Sequence, residues 1–261
     1  MAEQIAPGIW WLHGTRGSNV YLVEADDGQL ALVDTGFGTN VGAILREIAS
    51  VGGGRPLASI LLTHKHFDHV GSARILRERT GARIVIGMAD CVRGASGGWV
   101  VDAPVGRSHV ARFVSRWLLR RHAAGVPVDV PLEGESEVLP GVRSIPAPGH
   151  TPGSFCFEAS RSRALFVGDL TISHGGSLSR PLASSHADSD QFESTLAEIA
   201  SYDAAVGCPG HGKPVQTGFS ESLRALAACP PRRPTPMVLA RRMIRLHGFT
   251  LGMYRRRTPR R

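Results

Sequence analysis

The stretch "LLTHKHFDHVGS" (residues 61–72) sets His64, His66, Asp68 and His69 within six positions, directly after an apolar run. Imidazole and carboxylate groups are costly to bury without partners. The cluster is therefore either a solvated turn or a site for a shared ligand. The preceding "LASILL" reads as a buried strand and the following "GSARILRERTGA" as a helix. That places the four groups at a strand end, where an α/β protein gathers functional side chains.

Upstream, "GIWWLHG", "SNVYLVEA" and "QLALVDTG" read as short strands separated by Gly and Asp-Asp-Gly turn signals. "NVGAILREIASVGG" carries apolar residues at 41, 44, 45 and 48, a helical period that ends in glycines. "RIVIGM" is again a strand, so strands and helices alternate as in an α/β layered fold. Residues 88–140 break this rhythm and read as an insertion with an amphipathic helix at 109–122. One face of that helix carries Val110, Phe113, Val114, Trp117 and Leu118, and the other carries Arg112, Arg116 and Arg120. Strands return in "VRSIPAPG", "SFCFEAS" and "ALFVGDL", followed by a polar loop (173–189), the helix "DQFESTLAEIASY" and the strand "AAVGCPG".

Charge divides the chain in the same place as pattern does. The net charge is +8, yet residues 232–261 hold ten arginines and no acid. The 20 basic residues left in 1–231 face 22 acidic ones, so that part carries a net charge of −2. We read 1–231 as one domain and 232–261 as a basic C-terminal tail. A slightly acidic body disfavours nucleic acid as a partner. The tail suits either weak contact with an anionic membrane surface or a surface helix with a frayed end. "MAEQIAPGIWWLHG" has no basic run followed by an apolar one, and no stretch reaches the roughly 18 apolar residues of a membrane span. Cys91, Cys156, Cys208 and Cys229 form no CxxC pair. A reducing, cytoplasmic location is the expectation.

Three further segments deliver metal-ligand residues to strand ends: "PAPGHTPGS" with His150, "LFVGDL" with Asp169 and "AVGCPGHGKP" with His211; "LALVDTG" adds Asp34. Four segments converging in one structural context point to a joint metal site rather than to scattered surface polarity. In an extended His-x-His the two imidazoles fall on the same side of the chain, because side chains alternate with period two. An imidazole and carboxylate donor set without cysteine suits zinc, iron or manganese.

These motifs resemble the metallo-β-lactamase superfamily, with "THKHFDHVGS" similar to its His-x-His-x-Asp-His signature and His150, Asp169 and His211 in the order of its remaining ligands. The resemblance covers about residues 5–225 and implies a four-layered αββα sandwich with the metals at one edge of two packed sheets. It implies two divalent metal ions, zinc foremost. His64, His66 and His150 would bind the first ion, Asp68, His69 and His211 the second, and Asp169 both. Asp34 would orient a ligand histidine from outside the coordination sphere. The implied reaction is hydrolysis of an ester, thioester or lactone in a small acyl substrate by a metal-bridging hydroxide, with Asp68 also shuttling the proton.

Within the superfamily the chain is most similar to the glyoxalase II-like thioester hydrolases. Their "CGKFYEG"-like glutathione-binding run is absent, "TISHGGSLSRPL" standing there instead. The commonest zinc β-lactamases have cysteine where this chain has Asp169, and acyl-homoserine lactonases have tyrosine where it has Ile172. Persulfide dioxygenases keep the ligands with a single iron but carry an arginine near the place of Leu178. A mononuclear-iron oxidoreductase and a non-catalytic metal-binding protein are the alternatives to a hydrolase. Helix 109–122 is read either as a lid over the metals, with Phe113 and Trp117 against an acyl chain, or as an ordinary surface helix. Cys208 is read as a buried structural thiol rather than a nucleophile, and His174 and His186 as surface residues, with lining of the pocket as the alternative.

Overall fold

The central strands of the two large sheets are buried along nearly their whole length, because both faces of each sheet are covered. The computed structural model describes residues 2–102, 125–175 and 177–231. Its strands are β1 (Ala2–Ala6), β2 (Ile9–Leu12), β3 (Tyr21–Glu24), β4 (Leu30–Val33), β5 (Leu57–Leu61), β6 (Arg83–Gly87), β7 (Cys91–Arg93) and β8 (Trp99–Val101). They continue as β9 (Val130–Leu132), β10 (Ser136–Leu139), β11 (Val142–Pro146), β12 (Phe155–Ala159), β13 (Ala164–His174), β14 (Ser177–Ser179) and β15 (Val206–His211). The α-helices are α1 (Val41–Val51), α2 (Phe67–Val70), α3 (Ala73–Thr80), α4 (Ser189–Ile199) and α5 (Phe219–Ala228).

Among the described residues, one sheet has the order β1-β2-β3-β4-β5-β6-β9. It opens as an antiparallel meander and turns parallel from β4 onward, where α1 and α3 supply the crossovers. The second sheet has the order β10-β11-β12-β13-β14, with β15 parallel to β13. In β4, Ala31 and Val33 face the second sheet, while Leu30 and Leu32 pack with Val41, Ile44 and Ile48 of α1. The outer face of the second sheet (Cys156, Leu165, Val167) is covered by Phe192, Leu196 and Ile199 of α4 and by Phe219 and Leu223 of α5. The layer order is therefore helix, sheet, sheet, helix, the αββα sandwich that the motifs imply.

Local signals set the helix ends. The Asp188 carboxylate accepts from the Asp190 and Gln191 amides at the start of α4. α3 stops at Gly81, whose φ of +74° is the left-handed value a glycine adopts without cost. The inter-sheet core rests on Phe157 and Phe166, both fully buried, with Tyr21 edge-on to Phe166 at 5.4 Å. We expect Phe157→Ala to lower stability by about 3–5 kcal/mol, read as a shift in the urea midpoint at unchanged slope.

One reading needs revision. Residues 88–140, taken as a helical insertion, contain the β7–β8 hairpin, β9 at the edge of the first sheet and β10 of the second. Their short runs lacked the strong alternation that marks a half-buried strand. Helix 109–122, with Phe113 and Trp117, and the tail 232–261 lie outside the described residues. No helix among the described residues is long and apolar enough to cross a membrane.

Candidate metal centre

The seven residues singled out from sequence converge at one end of the two sheets. β5 ends at Leu61, and the chain bends at Thr63 and runs to His66, itself extended at φ −63° and ψ 144°, before turning into α2. His64 and His66 leave this connecting segment, while Asp68 and His69 lie in α2 itself. The Thr63 carbonyl accepts from the Phe155 amide at 2.8 Å, tying the end of the first sheet to the start of β12 in the second. His150 occupies the turn between β11 and β12, Asp169 lies within β13, and His211 ends β15.

Two groups of donors result: His64, His66, His150 and Asp169 in one, and Asp68, His69 and His211 in the other. Within each group the ligand atoms all lie within 4.8 Å of one another. The Nε2 atoms of His64 and His150 each stand 2.9 Å from His66 Nδ1. Asp169 joins the groups. Its Oδ2 lies 3.3 Å from His150 Nε2, and its Oδ1 lies 3.3 Å from both His69 Nε2 and His211 Nε2. His211 Nε2 is also 3.5 Å from Asp68 Oδ2. The chain can approach this closely at β15 because residue 210 is glycine: a Cβ there would meet Asp169 Oδ1 at 2.5 Å.

Residues outside the groups orient these side chains. Asp34, at a left-handed φ of +59° uncommon for a non-glycine residue, accepts from His69 Nδ1 at 2.7 Å and from the Thr63 amide at 2.9 Å. That bond leaves His69 Nε2 pointing at Asp169. Such retained backbone strain is a mark of functional positions. Asn19 holds the β15 end by donating to the carbonyls of Pro209, at 2.9 Å, and Gly212, at 2.6 Å. Thr63 Oγ1 donates to Asp34 Oδ2 at 2.8 Å. Asp90, three residues past the end of β6, accepts from the Lys65 amide. Sequence reading missed Asn19, Thr63 and Asp90. The strand-end rule that selected Asp34 applies equally to Asp90 in "IGMAD" and was the available signal.

Electrostatics separate the two groups. Burial, followed by the neighbouring histidines, holds His64 well below the ordinary imidazole value. Burial and then His150 push His66 down to about 3. Both are thus neutral, the form that offers a lone pair to a metal. At His69 burial acts downward, but the carboxylates of Asp34 and Asp169 outweigh it and raise the value. Burial acts upward on Asp169, yet His211 and His69 hold its carboxyl well below the usual carboxylate range.

The donors fit divalent cations. His69 Nε2 and Asp169 Oδ1 are buried, face each other and make no hydrogen bond. A cation between them would satisfy both. The first group would hold one ion and the second another, with Asp169 offering an oxygen to each. Imidazole and carboxylate donors accommodate zinc, iron or manganese.

Other assignments are settled by burial. Cys208 is buried and its thiol is raised well above the usual value by desolvation, in keeping with a structural role. His174 is exposed. His186, expected at the surface, is buried: its ring stacks on Phe192 at 3.8 Å and stands edge-on to His150 at 5.8 Å. It owes that position to the segment before α4, where the Ala187 amide bonds the His150 carbonyl.

Among curated proteins, the chain is 30% identical over 161 residues to the uncharacterized protein YobT of Bacillus subtilis, covering 60% of this chain and 64% of that one. It is 27% identical over 199 residues to an atrochrysone carboxyl ACP thioesterase of Aspergillus fumigatus, covering 76% of this chain and 38% of that one. The chain thus spans less than two thirds of the length of either relative. Among solved structures, TTHA1623 in a di-iron-bound form superposes with a TM-score of 0.57 at 25% identity, over 78% of this chain and 92% of that one. A family model described as the metallo-beta-lactamase superfamily matches residues 13–211, from before β3 to the last of the seven site residues. With that match over most of its length, the chain belongs to the metallo-β-lactamase superfamily.

Proposed function

We propose that this protein is a hydrolase with a binuclear metal centre that cleaves an ester or thioester bond in a small acyl substrate. The observation that carries this reading is Asp169, whose two oxygens divide between the two donor groups at 3.3 Å. Divalent ions held there supply an acidified water and a Lewis acid for the substrate carbonyl. The chain's own residues do the rest. Asp34 fixes the His69 ring so that its Nε2 faces the centre. Asp68, in the first turn of α2 and partly open to solvent, is the carboxylate placed to take the proton from the attacking water and pass it on.

A thioester is favoured over a lactone by similarity to a relative named as a thioesterase, and by Ile172 in place of a tyrosine. Ile172 pairs with His211 across β13 and β15, next to the second donor group. Zinc as the resident metal and a cytoplasmic site of action belong to the same reading. The latter is supported by Cys91, Cys156 and Cys208, which form no disulfide. Weak contact of the 232–261 tail with an anionic membrane surface is proposed on its ten arginines alone.

The test is a screen of acyl thioesters, esters and lactones on protein of measured metal content, with oxygen uptake followed in parallel. We expect two ions per chain, thioester or ester turnover and no oxygen consumption. One iron per chain with oxygen uptake on a persulfide would replace the hydrolase by the dioxygenase reading.

A further inference from the structure

Asp90 belongs to neither donor group, yet it is bonded to two residues, Lys65 and Thr151, that between them adjoin three of the histidines. It ends the 3₁₀ turn Met88–Asp90 that follows β6 and is fully buried. Its Oδ2 accepts from the Lys65 amide at 2.9 Å and from Thr151 Oγ1 at 2.6 Å. Its Oδ1 accepts from the Gly153 amide at 3.1 Å and stands 3.6 Å from Lys65 Nζ. Lys65 lies between His64 and His66, and Thr151 follows His150. One carboxylate therefore joins the two turns that carry the nitrogen donors of the first group.

The packing around it leaves little freedom. A Cβ at Gly153 would meet the Asp90 amide nitrogen at 2.5 Å and its Cγ at 2.7 Å, so the His150 turn rests directly on Asp90. Thr151 is held in turn by Ser154, whose Oγ is 2.8 Å from Thr151 Oγ1 and accepts from the Thr151 amide at 3.0 Å. A buried carboxylate is retained only when its charge is met by donors. Here two amides, a hydroxyl and an ammonium meet it, drawn from both histidine-bearing turns. The pairing also draws the Lys65 ammonium onto Asp90.

We propose that Asp90 is a positioning residue for the three-histidine group: it sets the spacing of the His64–His66 segment against His150, and so sets the affinity for the ion held there. The second group, built from α2 and the end of β15, does not depend on it. The proposal rests on the assignment of His64, His66 and His150 to one ion.

The experiment titrates metal-free full-length protein with zinc alone against a chelating indicator at low temperature, where folded protein dominates, and resolves two binding steps. His150→Ala identifies the step that belongs to the three-histidine group. Asp90→Asn keeps the shape but removes the charge and turns one acceptor into a donor facing a donor. We expect it to weaken that same step by about 10–100-fold, the range for outer partners of metal ligands, and to leave the other step unchanged. The cobalt-substituted variant should show an altered visible spectrum. Thr151→Val removes one arm of the clamp and should weaken the same step to a smaller degree, which decides the matter if Asp90→Asn does not fold. A folded Asp90→Asn or Thr151→Val that melts earlier yet binds zinc as the unaltered protein does would reduce Asp90 to a structural staple and overturn the proposal. If His150→Ala leaves both steps intact, the ligand assignment itself is wrong, and the proposal falls with it.

Discussion

Asp169→Ala is expected to lower the metal content below two ions per chain and to reduce kcat/KM by more than about 100-fold. Partners outside the coordination sphere already cost 10–100-fold when removed, and a shared ligand must cost more. Asp169 is the carboxylate that faces both groups, with oxygens at 3.3 Å from His69, His150 and His211. It is held in place by β13, whose pairing with β15 shifts register around Gly168, and by the close approach of Gly210. Without it the second group keeps a single anionic donor, Asp68, for a doubly charged ion. Metal analysis after desalting, together with steady-state kinetics on the best substrate of the screen, measures both effects. Two tightly held ions and undiminished kcat/KM in this variant would refute a bridging role.

Asp68→Asn separates binding from chemistry. The side chain is partly open to solvent, and its Oδ2 lies 3.5 Å from His211 Nε2. Asparagine keeps the shape and an acceptor oxygen, so we expect zinc to remain bound. It cannot take a proton at the operating pH, so kcat is expected to fall by about 10²–10⁴-fold, the range of general acid–base contributions. The comparison is made at matched metal content. A variant with both ions and unchanged kcat removes Asp68 from proton transfer; one that has lost an ion marks it as a ligand alone.

Much of this centre was legible in the linear chain, because its residue types are chemically distinctive and short motifs carry them. "THKHFDHVGS" alone contains four of the seven donors, and the α/β layering followed from strands and helices whose periods are local properties. The same local logic marked Asp34 and the buried thiol of Cys208. It was weaker where elements are short: β7 and β8 are three residues each, too few to show a period, and their pairing is set by contacts distant in sequence.

What the sequence by itself determined is the inventory: which donors exist, in what order, and that they belong to the strands and strand-following turns of a layered fold, although Asp169 lies inside β13 rather than at its end. What only the tertiary structure decided is their partition and support. That Asp169 shares its oxygens between the groups, that His186 is buried beside His150, and that Asp90 joins Lys65 to Thr151 all depend on angstrom-scale distances between residues 19 to 100 positions apart. Such distances come from how two sheets pack and where their ends meet. A hydrogen bond changes from strong to absent within about half an ångström, and no local pattern of residues carries that information.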